Sequence, residues 1–333
     1  MITTEELSRL THIPLKTLQG AMRQKGIPEE KKKITPEESR SILDGLSLSF
    51  KQKSITIAAL KGGIGKTFLS SNLAIRLSMM GARVLIVDLD PEACATNSLL
   101  SQEQVESEEK KTILEVCKNL CTFEEAIWPT KYPLLDIMPS SLRVAKTERI
   151  VNLKNPKTLL RKSIEQCSYD FVFFELPPSF STLSAAAYLA SDEIIIPCTP
   201  NIHSLESVDL TVEAISEVAQ EFECHHLEFK IILNMFNPKR TASQDTLTIL
   251  RDEHADLLLP FCIPESADIQ NAINSGLSVF EHRSKPQVRE AIDLLVGSIC
   301  SLKIGERSPH TSIPLTIPLE GDKSATEISA TLQ

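Results

Sequence analysis

Two lysines, three glycines and a threonine fall within eight residues of this 333-residue chain, Leu60-Lys61-Gly62-Gly63-Ile64-Gly65-Lys66-Thr67. The stretch follows the apolar run Ile55-Thr56-Ile57-Ala58-Ala59 and opens a helical pattern over residues 68–80. A strand, a glycine-rich turn and a helix in that order bind phosphate, because backbone N–H groups converge on the anion and the positive end of the helix dipole faces it. Gly62, Gly63 and Gly65 permit a close approach and dihedrals that a side chain would forbid. Lys66 can reach the β- and γ-phosphates, and the Thr67 hydroxyl can ligate Mg²⁺. The expected nucleotide-binding turn is therefore Lys61, Gly62, Gly63, Ile64, Gly65, Lys66, Thr67 and Phe68. The strict phosphate-loop pattern has a glycine five residues before Gly65; this chain has Leu60 there, and a second lysine at Lys61.

Two further stretches bring carboxylates to the same place. Asp88 and Asp90 close the run Val84-Leu85-Ile86-Val87, and two carboxylates two residues apart at a strand end point to one side. The strand Phe171-Val172-Phe173-Phe174 ends in Glu175, followed by Leu176-Pro177-Pro178-Ser179. A carboxylate so placed holds Mg²⁺ through its water shell.

These residues carry a family resemblance. The segment from Lys61 to Thr67 resembles the deviant Walker A box of the ParA/MinD ATPases, Asp88-Leu89-Asp90-Pro91 resembles their Asp-x-Asp-Pro segment, and Pro177-Pro178-Ser179 resembles their Walker B continuation. The likeness extends over about residues 53–302. It implies ATP and Mg²⁺ as cofactors and an ATP-dependent homodimer in which Lys61 touches the partner subunit's nucleotide. It implies slow, partner-stimulated ATP hydrolysis carried by Lys61, Lys66 and Asp88, with Asp88 orienting or activating the attacking water and Asp90 in support. Metal binding would fall to Thr67, Asp88 and Glu175, the carboxylates acting through water. Asn234 would lie near the adenine edge; a strand-end asparagine satisfying a turn is the competing reading. The resemblance further implies nonspecific DNA binding by the dimer through Lys239, Arg240, Arg251, Arg283 and Lys285, and a ParB-like centromere-binding partner. Solvated surface charge competes as a reading of those basic residues. The chain departs from the family at Ala59-Leu60, Phe68, Glu92 and Glu175. Glu175 replaces an aspartate, and its extra methylene displaces the carboxylate by roughly a bond length. Nucleotide binding is expected to survive these changes better than catalytic rate.

Strand-like runs recur at 54–60, 83–88, 134–138, 170–175, 193–198, 229–234 and 258–262, with helical patterns between most of them. This rhythm predicts an α/β fold with a mostly parallel sheet flanked by helices, its ligands at the C-terminal ends of the strands. The ATPase domain is expected over residues 54–303, after a linker at 46–53 and before a disordered tail at 304–333 rich in Pro, Ser and Thr. Residues 1–45 read as a small all-α segment with helix-turn-helix spacing, in which Lys16, Thr17, Gln19 and Arg23 are candidate groove-facing groups. The segment resembles the N-terminal DNA-binding part of larger, plasmid-type ParA proteins; a helical adapter or dimerisation cap is the alternative. Residues 112–128 read as helices placing Cys117 and Cys121 on one face.

The net charge of −9 excludes a uniformly basic nucleic-acid binder, but it is uneven. Residues 1–53 hold ten basic and seven acidic residues, and the remainder 25 and 37, so any DNA contact must come from local patches. Aromatics at 5% argue against a base-stacking module. The eight cysteines contain no Cys-x-x-Cys pair and read as reduced thiols, and Cys224-His225-His226 as loop residues. No apolar run reaches the roughly 18 residues that span a bilayer and the N-terminus is not a signal peptide, so a cytoplasmic, nucleoid-associated protein is expected. The best reading is a DNA-partition ATPase that also represses its own operon if the N-terminal helices bind DNA. The main alternative is a nucleotide-responsive repressor with little turnover. A membrane-cycling MinD-like ATPase should end in a basic amphipathic helix, which Pro314 and Pro318 preclude. An iron–sulfur reductase of the nitrogenase iron-protein type lacks matching cysteines.

Overall fold

The computed structural model describes residues 1–146, 156–282 and 284–304. Its strands are β1 (Leu48–Phe50), β2 (Lys53–Ile57), β3 (Val84–Asp88), β4 (Trp128–Pro129), β5 (Leu135–Met138), β6 (Phe171–Glu175), β7 (Glu193–Cys198), β8 (Glu228–Phe236), β9 (Leu258–Pro264) and β10 (Leu302–Ile304). Eight of them form one sheet in the order β4-β5-β3-β6-β2-β7-β8-β9, parallel throughout except for β4 at the edge. All seven expected runs lie in this sheet. They read as continuous apolar stretches because helices cover both faces, and every residue of β3, β6 and β7 is buried.

Alternation along these strands divides the core in two. Ile55, Ile57, Val84, Ile86, Phe171 and Phe173 pack with Leu69, Leu73 and Leu77 of the helix that follows the glycine-rich turn. Leu85, Val87, Val172, Phe174, Ile194 and Ile196 face the other side, against Leu183, Ala186 and Ala187 of the helix Thr182–Ala190. The parallel register sets Asp88 beside Glu175, and Glu175 beside Ile57, so β2, β3 and β6 end at one level.

The N-terminal segment forms α1 (Thr4–Thr11), α2 (Leu15–Gln24) and α3 (Pro36–Gly45). Capping boxes Thr3–Glu6 and Thr35–Glu38 start α1 and α3. His12, at φ 57°, ends α1, and Pro14 precedes α2. These helices do not hang from the main fold: Leu7, Leu10, Leu18, Met22, Ile42 and Leu43 share one core with α4 (Lys66–Met79) and the helix Pro286–Ile299. A charged knot locks the contact. Arg76 of α4, 1% exposed, donates through Nε to Asp293 Oδ1 at 2.7 Å and through a terminal nitrogen to Oδ2 at 3.1 Å. It also lies 3.3 Å from Glu6 and over the Phe280 ring, while Arg9 reaches Asp293 at 2.6 Å.

Several expectations change. The stretch 46–53 is not simply a linker: β1 pairs antiparallel with β10, and Phe50 meets Phe171 edge-on with centroids 5.8 Å apart. Its polar composition concealed a strand whose partner lies at the far end of the chain. Residues 112–128 hold one short helix, Ile113–Cys117, a 3-10 turn, Glu124–Ala126, and β4. Cys117 and Cys121 thus share no helix face, because Asn119 at φ 56° turns the chain between them. Arg283 and residues 305–333, nearly all of the expected tail, lie outside the described residues. No helix among the described residues is long and apolar enough to cross a membrane.

The knot predicts unequal costs. Replacing Asp293 with Ala leaves the buried Arg76 with Glu6 as its one remaining carboxylate partner among the described residues and should lower stability by about 3 kcal/mol. Arg9→Ala, whose side chain is 53% exposed, should cost less than about 1 kcal/mol. Urea unfolding of the two variants checks the contrast.

Candidate active site

The glycine-rich turn leaves β2 at the centre of the sheet and enters α4. Gly63 and Gly65 take φ values of 72° and 90°, in the left-handed region. At Gly65 space is also limiting, since a Cβ would stand 2.5 Å from Asn234 Nδ2. That amide donates to the Ile64 carbonyl at 2.7 Å, and Asn234 Oδ1 accepts from Met235 N–H at 2.9 Å. Asn234 is 2% exposed. Asn234 thus braces the phosphate turn through one amide N–H, and Met235 lines the wall of the adjoining cleft.

Two carboxylates stand side by side below the turn, both out of solvent. Glu175 Oε1 accepts from the Thr67 hydroxyl and Oε2 from the Ser70 hydroxyl, each at 2.6 Å. Asp88 Oδ2 accepts from the N–H and hydroxyl of Thr96, at 2.9 and 2.7 Å, and Oδ1 from Asp90 N–H at 3.1 Å. The Thr96 hydroxyl itself accepts from Ser140 N–H at 2.8 Å, which fixes its proton toward Asp88. Burial pushes the Asp88 carboxyl up from 3.8 to about 7, helped by the Glu175 charge and opposed by Thr96 and Asp90. Burial also raises Glu175, against the Ser70 and Thr67 hydroxyls and the Lys66 charge. Lys66, 8% exposed, is lowered by desolvation, with Glu175, Asp90 and Glu92 pulling it back.

Lys61 does not point at this cluster. Its Nζ donates to Asn201 Oδ1 at 2.6 Å and Ser204 Oγ at 3.2 Å. Beside it opens a cleft of about 390 Å³ lined by Lys61, Gly62, Gly63 and Ile64 on one side and by Pro200, Met235, Arg240 and Glu265 among others on the rest. Gly62 and Gly63 are exposed, with nothing within 4 Å of where a Cβ would stand, so the turn's backbone is open to a ligand. A hydroxyl and two carboxylates are hard oxygen donors of the kind Mg²⁺ takes. The residues present thus suit a magnesium-bound phosphate.

A family model described as AAA domain matches residues 52–229, more than half of the chain. The chain belongs to this family, in its ParA/MinD-like branch. Among similar proteins, the cell division protein PomZ of Myxococcus xanthus is 29% identical over 266 residues, covering 77% of this chain and 82% of PomZ. The sporulation initiation inhibitor Soj of Bacillus subtilis is 25% identical over 239 residues, 70% of this chain and 93% of Soj. A putative plasmid partition protein from Borrelia burgdorferi, solved with AMPPNP bound, superposes with a TM-score of 0.63 at 26% identity, covering 74% of this chain and 98% of that one. The ATP complex of a McdA variant from Cyanothece shares the fold at a TM-score of 0.67 and 22% identity, covering 75% and 97%.

Within this ParA/MinD-like chain the remaining candidates scatter. Phe68 turns its ring into the core, 7% exposed, so only its backbone faces the turn. Lys16 and Thr17 are exposed on α2, Gln19 is half-buried, and exposed Arg23 pairs with Glu29 at 2.6 Å. Lys239, Arg251 and Lys285 are exposed. Arg240 lines the cleft and pairs with Glu265 at 3.1 Å, beside the nucleotide turn. Ser70 and Thr96 went unpredicted. Ser70, three residues after Thr67 on one helix face, was within reach of helical periodicity; Thr96 depends on a loop folding back. Among the described residues, one group of three could also hold a metal, Asp209, Glu253 and His254, in which His254 and Asp209 already pair at 2.8 Å.

A carboxyl raised above its unfolded value holds its proton more tightly in the folded chain. Asp88 therefore costs stability as pH rises from 3.8 to about 7, by up to about 4 kcal/mol. Nucleotide-free wild type should lose more stability between pH 5 and 8 than Asp88→Asn. Parallel pH dependences of their melting temperatures would contradict the assignment.

Proposed function

We propose that this protein is a DNA-partition ATPase. The observation that carries the reading is the convergence of Lys66, Thr67, Asp88 and Glu175 at one end of three parallel strands, with Lys61 on the rim. Residues 61–68 would hold the triphosphate by backbone N–H groups and Lys66, with Thr67, Glu175 and Asp88 around the magnesium, which neutralises phosphate charge when bound. Asp88, its Oδ1 holding a single hydrogen bond, orients the attacking water. Two protomers pair on ATP, each Lys61 reaching the other's phosphates. The pair binds nucleoid DNA without sequence preference through exposed cations such as Lys239, Arg251 and Lys285, and a ParB-like partner at a centromere-like site stimulates hydrolysis and release. The α2 face that carries exposed Lys16 and Thr17 and half-buried Gln19 supports operator binding and autorepression. The AMPPNP-bound partition protein and the partition-related relatives support the cofactor and the process.

One observation favours a second reading, a nucleotide-responsive repressor with little turnover. Thr67 and Glu175 bond directly, and the longer side chain lets this carboxylate close on the hydroxyl. Glu175→Asp draws the carboxylate back by roughly a bond length. Steady-state turnover should then rise about tenfold, equivalent to about 1.4 kcal/mol; an unchanged or lower rate would contradict this role for Glu175. Partition activity itself is tested by DNA binding across a salt series with and without Mg·ATP. Wild type should bind only with ATP and with a steep slope, set by counterion release at each phosphate contact. Lys66→Ala should lose that binding, and ATP-independent binding of equal strength would refute the proposal.

A further inference from the structure

Lys61 rests where a cation has little reason to stay. Both of its partners, Asn201 and Ser204, are neutral, and they sit at the N-terminus of the 20-residue helix Ile202–Glu221. That end of a helix carries unsatisfied N–H groups and the positive pole of its dipole, which favours anions. The nest around the ammonium is nevertheless well built. Asn201 caps the helix, its Oδ1 accepting from Ser204 N–H at 3.0 Å as well as from Lys61. Its Nδ2 donates to the Thr199 hydroxyl at 2.9 Å, and the Thr199 and Ser204 hydroxyls lie 2.7 Å apart. Lys61, Thr199 and Asn201 all line the cleft beside the phosphate turn. A triphosphate arriving there offers the ammonium a far better partner than two neutral oxygens.

We propose that Asn201 and Ser204 are positioning residues that latch Lys61 within its own protomer, so that pairing on ATP must first break the latch. The latch sets how much ATP is needed before two protomers join. It rests on the ATP-dependent pairing put forward above.

The test uses the full chain and two variants of opposite sign. In Asn201→Ala/Ser204→Ala both acceptors are gone. In Asn201→Asp the helix cap remains and the acceptor becomes an anion. Without nucleotide, acetylation of Lys61 by an N-hydroxysuccinimide ester is followed by mass spectrometry, with exposed Lys51 as internal reference. Mg·ATP is then titrated while light scattering reports the mass. The double variant should label Lys61 about fivefold faster and pair at about fivefold less ATP, the size expected of a partly exposed hydrogen bond to a charge. Asn201→Asp should label more slowly and need more ATP. Because Asn201→Asp keeps the cap, a simple loss of helix stability would shift the double variant and leave Asn201→Asp at the wild-type labelling rate, and that result would also overturn the latch. Labelling that does not move, or moves in one direction for both while pairing on ATP persists, would overturn the latch alone. Opposite labelling shifts with no pairing in any variant would overturn the pairing reading, and with it the latch's role.

Discussion

Charge taken out of water at the carboxyl edge of the sheet is the condition the rest of the molecule has to meet. Lys66, Asp88 and Glu175 are all buried there, and each would be costly alone. They are tolerated because they lie close enough to compensate one another and because every carboxylate oxygen accepts at least one hydrogen bond. Thr67 and Ser70 serve Glu175; Thr96 and Asp90 serve Asp88. That hydrogen bonding depends on the parallel register of β3 and β6 and on the first turn of α4. A slip of one residue would turn the carboxylates to opposite faces.

The burial of α4 follows from what lies on its far side. Helices in a layered α/β fold usually show one face to solvent, but every residue of α4 from Phe68 to Met79 is buried. The N-terminal helices cover it, and Arg76 ties it to Asp293 and Glu6 in a contact of alternating charge. The N-terminal segment is thus part of the wall that holds the phosphate turn from behind. Its exposed polar face remains free for a partner, while its apolar face is committed.

The side chains around the phosphate turn share one physical character, which is that they bond to one another. Glu175 stands where the family pattern has an aspartate, and it accepts directly from Thr67 and Ser70. Asn234 is spent on the Ile64 carbonyl and Lys61 on Asn201. Thus Thr67, Asn234 and Lys61 all bond within the chain, while the backbone of the turn at Gly62 and Gly63 stays open. A ligand that recruits Thr67 or Lys61 therefore exchanges contacts as well as adding them.

How much of this was legible follows from the range of the interactions concerned. The strands were readable because burial on both faces leaves unbroken apolar runs, and the phosphate turn because its glycines, lysines and hydroxyl answer a requirement met within eight residues. Asp88 and Glu175 were readable because a carboxylate ending such a run has little other use. The pairing of β1 with β10, the brace from Asn234 to Ile64, the hold of Thr96 on Asp88, the resting place of Lys61 and the Arg76 knot were not. Each joins residues that nothing along the chain relates, and their partners are chosen only when the sheet order and helix packing bring them within hydrogen-bonding distance. The sequence by itself determined the strand-turn-helix chemistry and the layered fold; tertiary structure decided which of those groups are free and which are already taken, because hydrogen bonds are satisfied through space.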